Sequence, residues 1–428
     1  MASSSRSNKY INLSNDIHNV NPDRMSDMPN NLIANILSLL PTKNQVVTSC
    51  VSTRLKPFRA SITNFDFDDE YYPHQRWSGE RSERFRQFVT NVLASQEPDI
   101  SVAKFHLSCT MSKFSGATPM DINSWLSGVV SRSLKDLCLQ ILGLVPVTLL
   151  DSVFQSPTLV NLNLDGGKSG KIVINLDENI KILLPQLKML QLICVNYVND
   201  ACVTRLFKGC PELQEVVVER NWNSDSVIAY CISGPKLRKV TVISAVLPST
   251  QPNQALNFGS LQISCPMLEY ICLWHCFPYD LSVKYLSGIT EAHFRMKPHD
   301  RNYAHKLLNI VRGLTSIKYL SLSDPTMKLY HDEIINHPWW MDPKSRPKWL
   351  WEHLTELYIY VKDGFFMYID KVQTLVSILR EAKALKQVTI ETLKEIPSKT
   401  KENLIKYVGL KDCSIEFIRR KLPSLDEE

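Results

Sequence analysis

One short phrase, Leu-x-x-Leu-x-Leu, recurs along this chain and limits what it can fold into. It is clearest at Leu159, Leu162 and Leu164. Further copies, some with Val, Ile, Ala or Phe in place of Leu, begin at Leu134, Leu187, Leu213, Leu237, Leu268, Ile289, Ile317, Leu354 and Leu385, with another candidate at Val102. From Leu134 onward, successive copies start 21 to 37 residues apart. Such spacing indicates a chain built from repeated structural units.

The alternation of apolar and other residues in the second half of each phrase predicts a short strand that buries one face. A single repeat cannot bury its apolar side alone, so the repeats must stack and their strands must form one parallel sheet. The predicted fold class is α/β, a leucine-rich-repeat solenoid with the parallel sheet on its concave face and helical returns such as 199–208.

The composition excludes several classes of function. The formal net charge is +6, and no dense Lys/Arg cluster interleaved with aromatic residues indicates nucleic-acid binding. The longest apolar-rich run, Leu137–Leu150, is too short to span a membrane. The first residues lack the apolar core of a signal peptide, and eleven scattered cysteines fit reduced thiols better than disulfides. We expect a protein of the nucleus or cytoplasm.

Two short helices are predicted after a polar N-terminus, residues 1–20, that we expect to be disordered. Pro29 stands near the start of the first helix and Pro41 ends it. Its apolar face comprises Leu32, Ile33, Ile36, Leu37 and Leu40. Thr42 and Gln45 have the spacing of a capping box for a second helix, whose apolar side holds Val46, Val47, Cys50 and Val51.

The segment MSDMPNNLIANILSLLPTKNQVVTSCVSTR resembles the F-box of plant F-box/leucine-rich-repeat proteins, over about residues 23–67. This resemblance implies that the segment docks a Skp-family adaptor, which links it to the cullin and RING subunits of an SCF ubiquitin ligase. The residues expected to bind the adaptor are Pro29, Leu32, Ile33, Ile36, Leu37, Leu40, Pro41, Val46, Val47 and Val51. The sequence departs from the family at Leu55, Pro57 and Arg59, and Pro57 predicts that a third helix is interrupted or confined to residues 52–56.

The resemblance and the repeats together divide the chain. The expected regions are 1–20 (disordered), 21–62 (F-box), 63–100 (a linker with an amphipathic helix over 84–93), 101–350 (leucine-rich repeats) and 351–420 (last repeats and a region that resembles the FBD). The FBD-like region is interpreted as a C-terminal cap. An insertion at 329–353 holds four of the eight tryptophans, and either projects as a functional loop or packs back on the convex side.

No candidate for chemistry stands out. Gly166–Gly170 contains Gly-Lys-Ser, but Leu162 stands where a phosphate-binding loop requires Gly. The best metal set is Cys272, His275, Cys276 and His293, yet the sequence has no Cys-x-x-Cys pair of the kind that structural zinc sites prefer. We expect no catalytic residue, no metal and no cofactor.

The concave face is the remaining candidate site, because alternate strand residues there point away from the interior. In the later repeats these positions carry residue types that dominate interface hot spots. The residues expected to bind a target protein are Tyr270, Trp274, His293, Arg295, Tyr319, Tyr358 and Tyr360. The alternative is surface decoration without a ligand.

These observations predict a non-catalytic substrate receptor of an SCF-type ubiquitin ligase, in which the F-box holds the adaptor and the repeats hold an unknown target protein. Two alternatives remain. One is an interaction scaffold with a degenerate F-box, and the other is a receptor that requires a small ligand on its concave face.

Overall fold

A parallel sheet of thirteen strands runs through the computed structural model of this protein. The structure describes residues 28–71, 79–111, 117–168, 170–220, 226–244, 259–274, 280–296, 301–323, 326, 352–361, 379, 382–393, 395–408 and 413–420. In spatial order the strands of the large sheet are β1 (Asn64–Asp68), β2 (Lys104–Met111), β3 (Asp136–Gly143), β5 (Asn161–Asp165), β7 (Met189–Ile193), β9 (Glu215–Arg220), β11 (Lys239–Ser244), β13 (Tyr270–Trp274), β15 (Glu291–Arg295), β16 (Tyr319–Ser323), β17 (Glu356–Val361), β18 (Gln387–Thr392) and β19 (Ser414–Arg419).

The predicted repeats are confirmed, because every copy of the phrase coincides with one of these strands. Leu162 and Leu164 of β5 are buried, and they pair in register with Leu190 and Leu192 of β7. The first apolar residue of that phrase, Leu159, is buried just before its strand. The same arrangement in each repeat joins the apolar residues into one continuous core. The solenoid therefore owes its stability to contacts between neighbouring repeats.

Two smaller parallel sheets line the return segments. One contains β4 (Val147–Thr148), β6 (Ile172–Ile174) and β8 (Asn196–Tyr197), and the other contains β10 (Ala229–Ser233), β12 (Ser260–Ser264) and β14 (Asp280–Lys284). The rings of Tyr197 and Tyr230 meet between them at 5.7 Å, and their buried hydroxyls are joined by a hydrogen bond of 2.8 Å. Several returns are thus short strands in place of the helices that the sequence suggested.

The large sheet begins earlier than expected. Strand β1 lies in the range 63–100, where the sequence predicted a linker with a helix and no strand of the sheet. Ile62, Phe65 and Phe67 occupy the three apolar positions of the repeat phrase, and all are buried. The Phe65 ring packs edge-on against Phe105 of β2, with centroids 6.4 Å apart. The N-terminal helices are thereby connected directly to the first repeat.

The described helices are α1 (Asn30–Ser38), α2 (Thr42–Ser49), α3 (Gly79–Ala94), α4 (Pro119–Val130), α5 (Asp200–Lys208), α6 (Arg301–Gly313) and α7 (Ser398–Val408). The amphipathic helix predicted over 84–93 is confirmed within α3, whose Phe85, Val89 and Val92 are buried. In α4 the Thr118 side chain accepts a hydrogen bond from the Asp121 amide and Asp121 caps in return. Near the C-terminus, α7 is followed by β19, which pairs with β18 at the end of the large sheet.

The predicted capping box at Thr42 and Gln45 is wrong. Pro41 is the N-cap of α2, and neither side chain caps the helix. The Thr42 hydroxyl instead accepts a hydrogen bond of 2.7 Å from the Asp66 amide, and Gln45 donates to the carbonyls of Leu40 and Asn64. Both side chains are buried, so α2 is fixed to β1 by tertiary hydrogen bonds. The Thr42 hydroxyl thus binds the Asp66 amide, 24 residues further along the chain, and not a backbone amide of its own helix.

Some expectations concern residues outside the described ranges, namely residues 1–20, His275, Cys276 and the tryptophans of the 329–353 insertion. Of the helices that the structure describes, none is both long and apolar enough to cross a membrane. The cysteines within the described ranges are thiols and form no disulfide with one another.

Candidate functional site

The first candidate surface is the apolar face that α1 and α2 leave exposed. Leu32 and Ile36 of α1 are 47% and 42% exposed, although each is an aliphatic residue on the predicted stripe. Val47 and Val51 are also exposed, as is Pro29, and Pro41 is half-buried. The sequence missed Leu39, which is 84% exposed, although it follows Leu32 by seven residues and so lies on the same side of the helix. A set of exposed aliphatic side chains on one small helical unit is typical of a protein-binding surface.

Not every residue expected on this surface is available there. Ile33 and Leu37 are buried and form a small core of their own with Leu55. Leu40 packs against that small core, and Val46 packs against the core of the solenoid. These four residues hold the helices together and to the repeats, because the opposite side of a two-helix unit also needs apolar contacts. The surface therefore consists of Leu32, Ile36, Leu39, Val47 and Val51, which we call the helical face.

The departures at residues 55–59 have structural consequences. Leu55 is buried in the small core, and Pro57 lies in the first turn of a 3-10 helix, Lys56–Arg59. A single 3-10 turn thus follows α2. It takes the place of the third helix that the sequence predicted to be interrupted or confined to residues 52–56. Arg54, two residues before this turn, donates hydrogen bonds to the Met28 carbonyl and to the Asn30 side chain at the start of α1. The 3-10 turn is short, but Leu55 just before it is held in the small core of the helical unit.

The second candidate surface is the open face of the large sheet, formed by the strand residues whose side chains point away from the core. All seven residues predicted to bind a target lie there, on the neighbouring strands β13, β15, β16 and β17. Tyr270 is aligned with Glu291, Tyr319 and then Glu356 across these strands. The structure therefore brings together residues that are up to 90 positions apart between Tyr270 and Tyr360. We call this group the aromatic patch.

Ring contacts connect most of the aromatic patch. The His293 ring lies between Tyr270 and Tyr319, with centroid distances of 5.2 and 5.1 Å, and its Nε2 is 2.8 Å from the Glu291 carboxylate. The Arg295 guanidinium is stacked between Trp274 and Tyr360, at 4.7 and 4.9 Å from the ring centroids. Cation–π contacts of this kind fix a long side chain in one orientation. Two preorganised clusters result, one around His293 and one around Arg295.

Tyr358 is held separately, because its hydroxyl donates a hydrogen bond to Glu391 of β18. Burial is the first cause that raises the pKa values of Tyr270, Tyr319 and Tyr358 above the ordinary tyrosine value. Nearby carboxylates add to the shift: Glu291 for the first two tyrosines and Glu391 for Tyr358. The three phenols therefore stay neutral at physiological pH and offer hydroxyls and ring faces to a partner.

The open face near β1 carries a different set of side chains. The His106 Nδ1 is 2.6 Å from the Asp66 carboxylate, and Cys138 is the aligned residue on the next strand. Hydrogen bonds to Cys138 and then to Asp66 raise the pKa of His106 to about 9, against the effect of burial. The imidazole is thus protonated at neutral pH. No local pattern in the sequence indicates this group, because its members come from three different repeats.

The residues weighed for chemistry are placed as follows. Cys272 and His293 are aligned on neighbouring strands. Within the described ranges, no group of three or more His, Cys, Asp or Glu residues is arranged to hold a metal ion. Gly166, Gly167 and Lys168 follow β5 in a turn. The geometry favours the two surfaces as the candidate sites.

Comparison with known proteins identifies a domain family and several relatives of this chain. Residues 25–57 match the F-box domain family. The chain is 35% identical over 215 residues to an F-box/LRR-repeat protein of Arabidopsis thaliana, which covers 49% of this chain and 39% of that relative. An FBD-associated F-box protein is 25% identical over 410 residues, 89% of this chain and 91% of the relative. An F-box/FBD/LRR-repeat protein is 28% identical over 307 residues, 70% and 65% of the two chains. Both of these are also from Arabidopsis thaliana.

Proposed function

We propose that this chain, which has an F-box domain at its N-terminus and homologues among F-box/FBD/LRR-repeat proteins, is a non-catalytic substrate receptor of an SCF-type ubiquitin ligase. Its F-box docks a Skp-family adaptor, and through it the cullin and RING subunits. Its leucine-rich repeats hold a target protein. Ubiquitin transfer is carried out by the partners, and tethering raises the concentration of the target near them.

The observation that carries this proposal is the helical face within the residues that match an F-box. Five aliphatic side chains remain exposed on two helices and just after their C-terminal ends, although the helical unit already has its own core. Leaving such a cluster in water is unfavourable, so its presence supports a partner that covers it. The 2.7 Å hydrogen bond between Thr42 and the Asp66 amide supports a fixed orientation between that partner and the repeats.

The aromatic patch supports the second half of the proposal. Burial of the phrase residues already stabilises the sheet from its inner side, so outward Trp274 and Tyr360 are not required for folding. Both rings contact Arg295, which leaves three residues of hot-spot type in one preorganised cluster. A preorganised surface loses less entropy on binding than a flexible one.

Affinity purification tests the adaptor half. We expect Leu32→Asp with Ile36→Asp to remove the adaptor, cullin and RING subunits, because each carboxylate would lie in an apolar contact. The control is Leu144→Asp with Ile228→Asp, which changes two aliphatic residues of the repeats that are more exposed, at 63% and 70%. Undiminished recovery of the adaptor with the F-box variant would overturn the proposal.

A second purification tests the target half. Trp274→Ala with Tyr358→Ala should leave adaptor binding intact and weaken target capture about thirtyfold or more, because an aromatic anchor typically contributes about 2–4 kcal/mol. Outward changes at Asn163 and Thr241, which lie on β5 and β11, serve as the control and should have little effect. Loss of targets with the control variant alone would place the target site at the other end of the sheet.

One observation favours a second candidate, an interaction scaffold with a degenerate F-box. The element after α2 is a 3-10 turn of four residues, Lys56–Arg59, which offers an adaptor less surface than a full helix. In that case the repeats would still capture targets, but no adaptor would copurify with the wild-type chain. The first purification therefore separates the two candidates.

A further inference from the structure

The open face of the large sheet is acidic although the chain as a whole is basic. Its described strand positions hold ten carboxylates and three Lys or Arg residues, a formal charge of −7, or −6 with the protonated His106, on a chain whose net charge is +6 with its histidines neutral. The carboxylates belong to Asp66, Asp68, Asp136, Asp165, Glu215, Glu219, Glu291, Glu356, Glu391 and Glu416, and the cations to Lys104, Lys239 and Arg295. This separation of charge favours a cationic partner on this face.

Carboxylates and aromatic rings alternate in the middle of the aromatic patch. Along one row of aligned positions, four successive strands carry Tyr270, Glu291, Tyr319 and Glu356. Burial raises the pKa of Tyr319, and the charges of Glu291 and Glu356 on either side raise it further. The neutral ring of Tyr319 thus lies between two carboxylates. Rings and carboxylates side by side are the groups that receive Lys and Arg side chains.

The centre of the patch also contains an unsatisfied polar group. Ser321 is aligned with His293 on one side and Tyr358 on the other, and so belongs to the open face. Its side chain is fully buried, and its hydroxyl has no hydrogen-bond partner in the described structure. A buried hydroxyl without a partner is unfavourable. This observation is independent of the charge count, and it supports a ligand that displaces the side chains covering Ser321 and pairs with its hydroxyl.

We propose that the segment of the target protein that binds this face is basic, with Lys or Arg side chains that lie against Tyr319 and pair with Glu291 and Glu356. This inference rests on the proposed function, because it names the chemical class of the target segment. The cationic stems cover the rings, and the charged ends reach the carboxylates on either side. The Arg295 cluster beside it repels further positive charge, so it limits where the basic residues of the target lie.

Fluorescence anisotropy of the full chain with two labelled peptides tests this inference. One peptide alternates lysine, leucine and serine, and the other has glutamate in place of lysine. We expect the chain to bind the lysine peptide more tightly, and Glu291→Gln with Glu356→Gln to weaken that binding roughly three- to thirtyfold, as two partly exposed ion pairs would. The matched control is Glu97→Gln with Glu178→Gln, two exposed carboxylates outside the open face.

Each outcome has a separate meaning. Equal binding of both peptides, or equal losses in the two variants, would overturn the inference, because the preference would be absent or would follow net charge alone. Tyr319→Leu should also weaken binding of the lysine peptide, which distinguishes the row from a diffuse acidic surface. A chain that binds the adaptor but not the lysine peptide would refute the basic target segment and leave the receptor function standing. A chain that binds the lysine peptide but no adaptor would refute the receptor function and leave the preference of the open face for basic segments standing.

Discussion

Shortening the exposed side chains of α1, without changing its buried ones, tests the proposed adaptor contact directly. Leu32 and Ile36 are 47% and 42% exposed, so a little under half of each remains for a partner to bury. Full burial of a Leu or Ile side chain stabilises by about 1.5–3 kcal/mol, and the two exposed portions together by roughly 1.3–2.7 kcal/mol. Leu32→Ala with Ile36→Ala should therefore raise the Kd for a Skp1-type adaptor about ten- to hundredfold.

The assay is isothermal titration of the purified chain with the adaptor, alongside circular dichroism to verify that the helices are folded. Ile33→Ala provides the contrast, because Ile33 has no exposed surface and its truncation should cost about 2–5 kcal/mol of stability in the small helical unit. That variant should lose adaptor binding and helical signal together. A Kd within about twofold of the wild-type value for the folded Leu32/Ile36 variant would refute the assignment of the helical face.

Three further predictions concern the Thr42–Asp66 hydrogen bond between α2 and β1, the buried core of the repeats, and the His106–Asp66 pair. Thr42→Val keeps the shape of the side chain but removes the acceptor of the Asp66 amide, and should lower the unfolding free energy by about 1–3 kcal/mol in urea titrations. Leu164→Ala, at a fully buried repeat position, should cost about 2–5 kcal/mol in the same measurement. The pKa of His106 is raised in the folded protein, so its stabilisation is present below pH 6.5 and is lost as the pH rises through about 9. His106→Asn should therefore destabilise by about 1 kcal/mol at low pH, since the side chain is 40% exposed, and have no effect above that window.

Specific outcomes would contradict these three predictions. An unchanged urea midpoint for Thr42→Val would mean that water satisfies the Asp66 amide. A loss below about 1 kcal/mol for Leu164→Ala would mean that the neighbouring repeats collapse into the space. A cost of His106→Asn that is equal at all pH values would assign the effect to packing, not to charge.

The repeats could be predicted from the sequence because their signal is local. Leu159, Leu162 and Leu164 show the phrase within six residues. Its recurrence specifies a parallel sheet whether the return segments are helices or short strands. Strand β1 escaped notice because Phe65 and Phe67 replace leucine in a segment that also resembles the end of the F-box. Aromatic residues fill the same interior positions, so a phrase defined by hydrophobicity would have found it.

The parts that could not be predicted depend on contacts between distant residues. Both Leu32 and Ile33 lie on the apolar stripe of α1, and only packing against Leu55 decides that Ile33 is buried and Leu32 exposed. The stacking of Arg295 between Trp274 and Tyr360 likewise follows from the positions of three strands. The sequence predicted which residue types face outward, while their pairing required the register of the sheet.

The order of strands in the large sheet has a consequence for the reach of the receptor. Strand β13, where the aromatic patch begins, is seven strand positions from β1, which is hydrogen-bonded to α2 through Thr42. Neighbouring strands are about 4.8 Å apart, so roughly 34 Å separates the two along the sheet. The number of repeats between them thus acts as a spacer of fixed length. Under the proposed function, gaining or losing one repeat would move a bound target by about 4.8 Å, and so change which of its lysines comes within range of the conjugating enzyme.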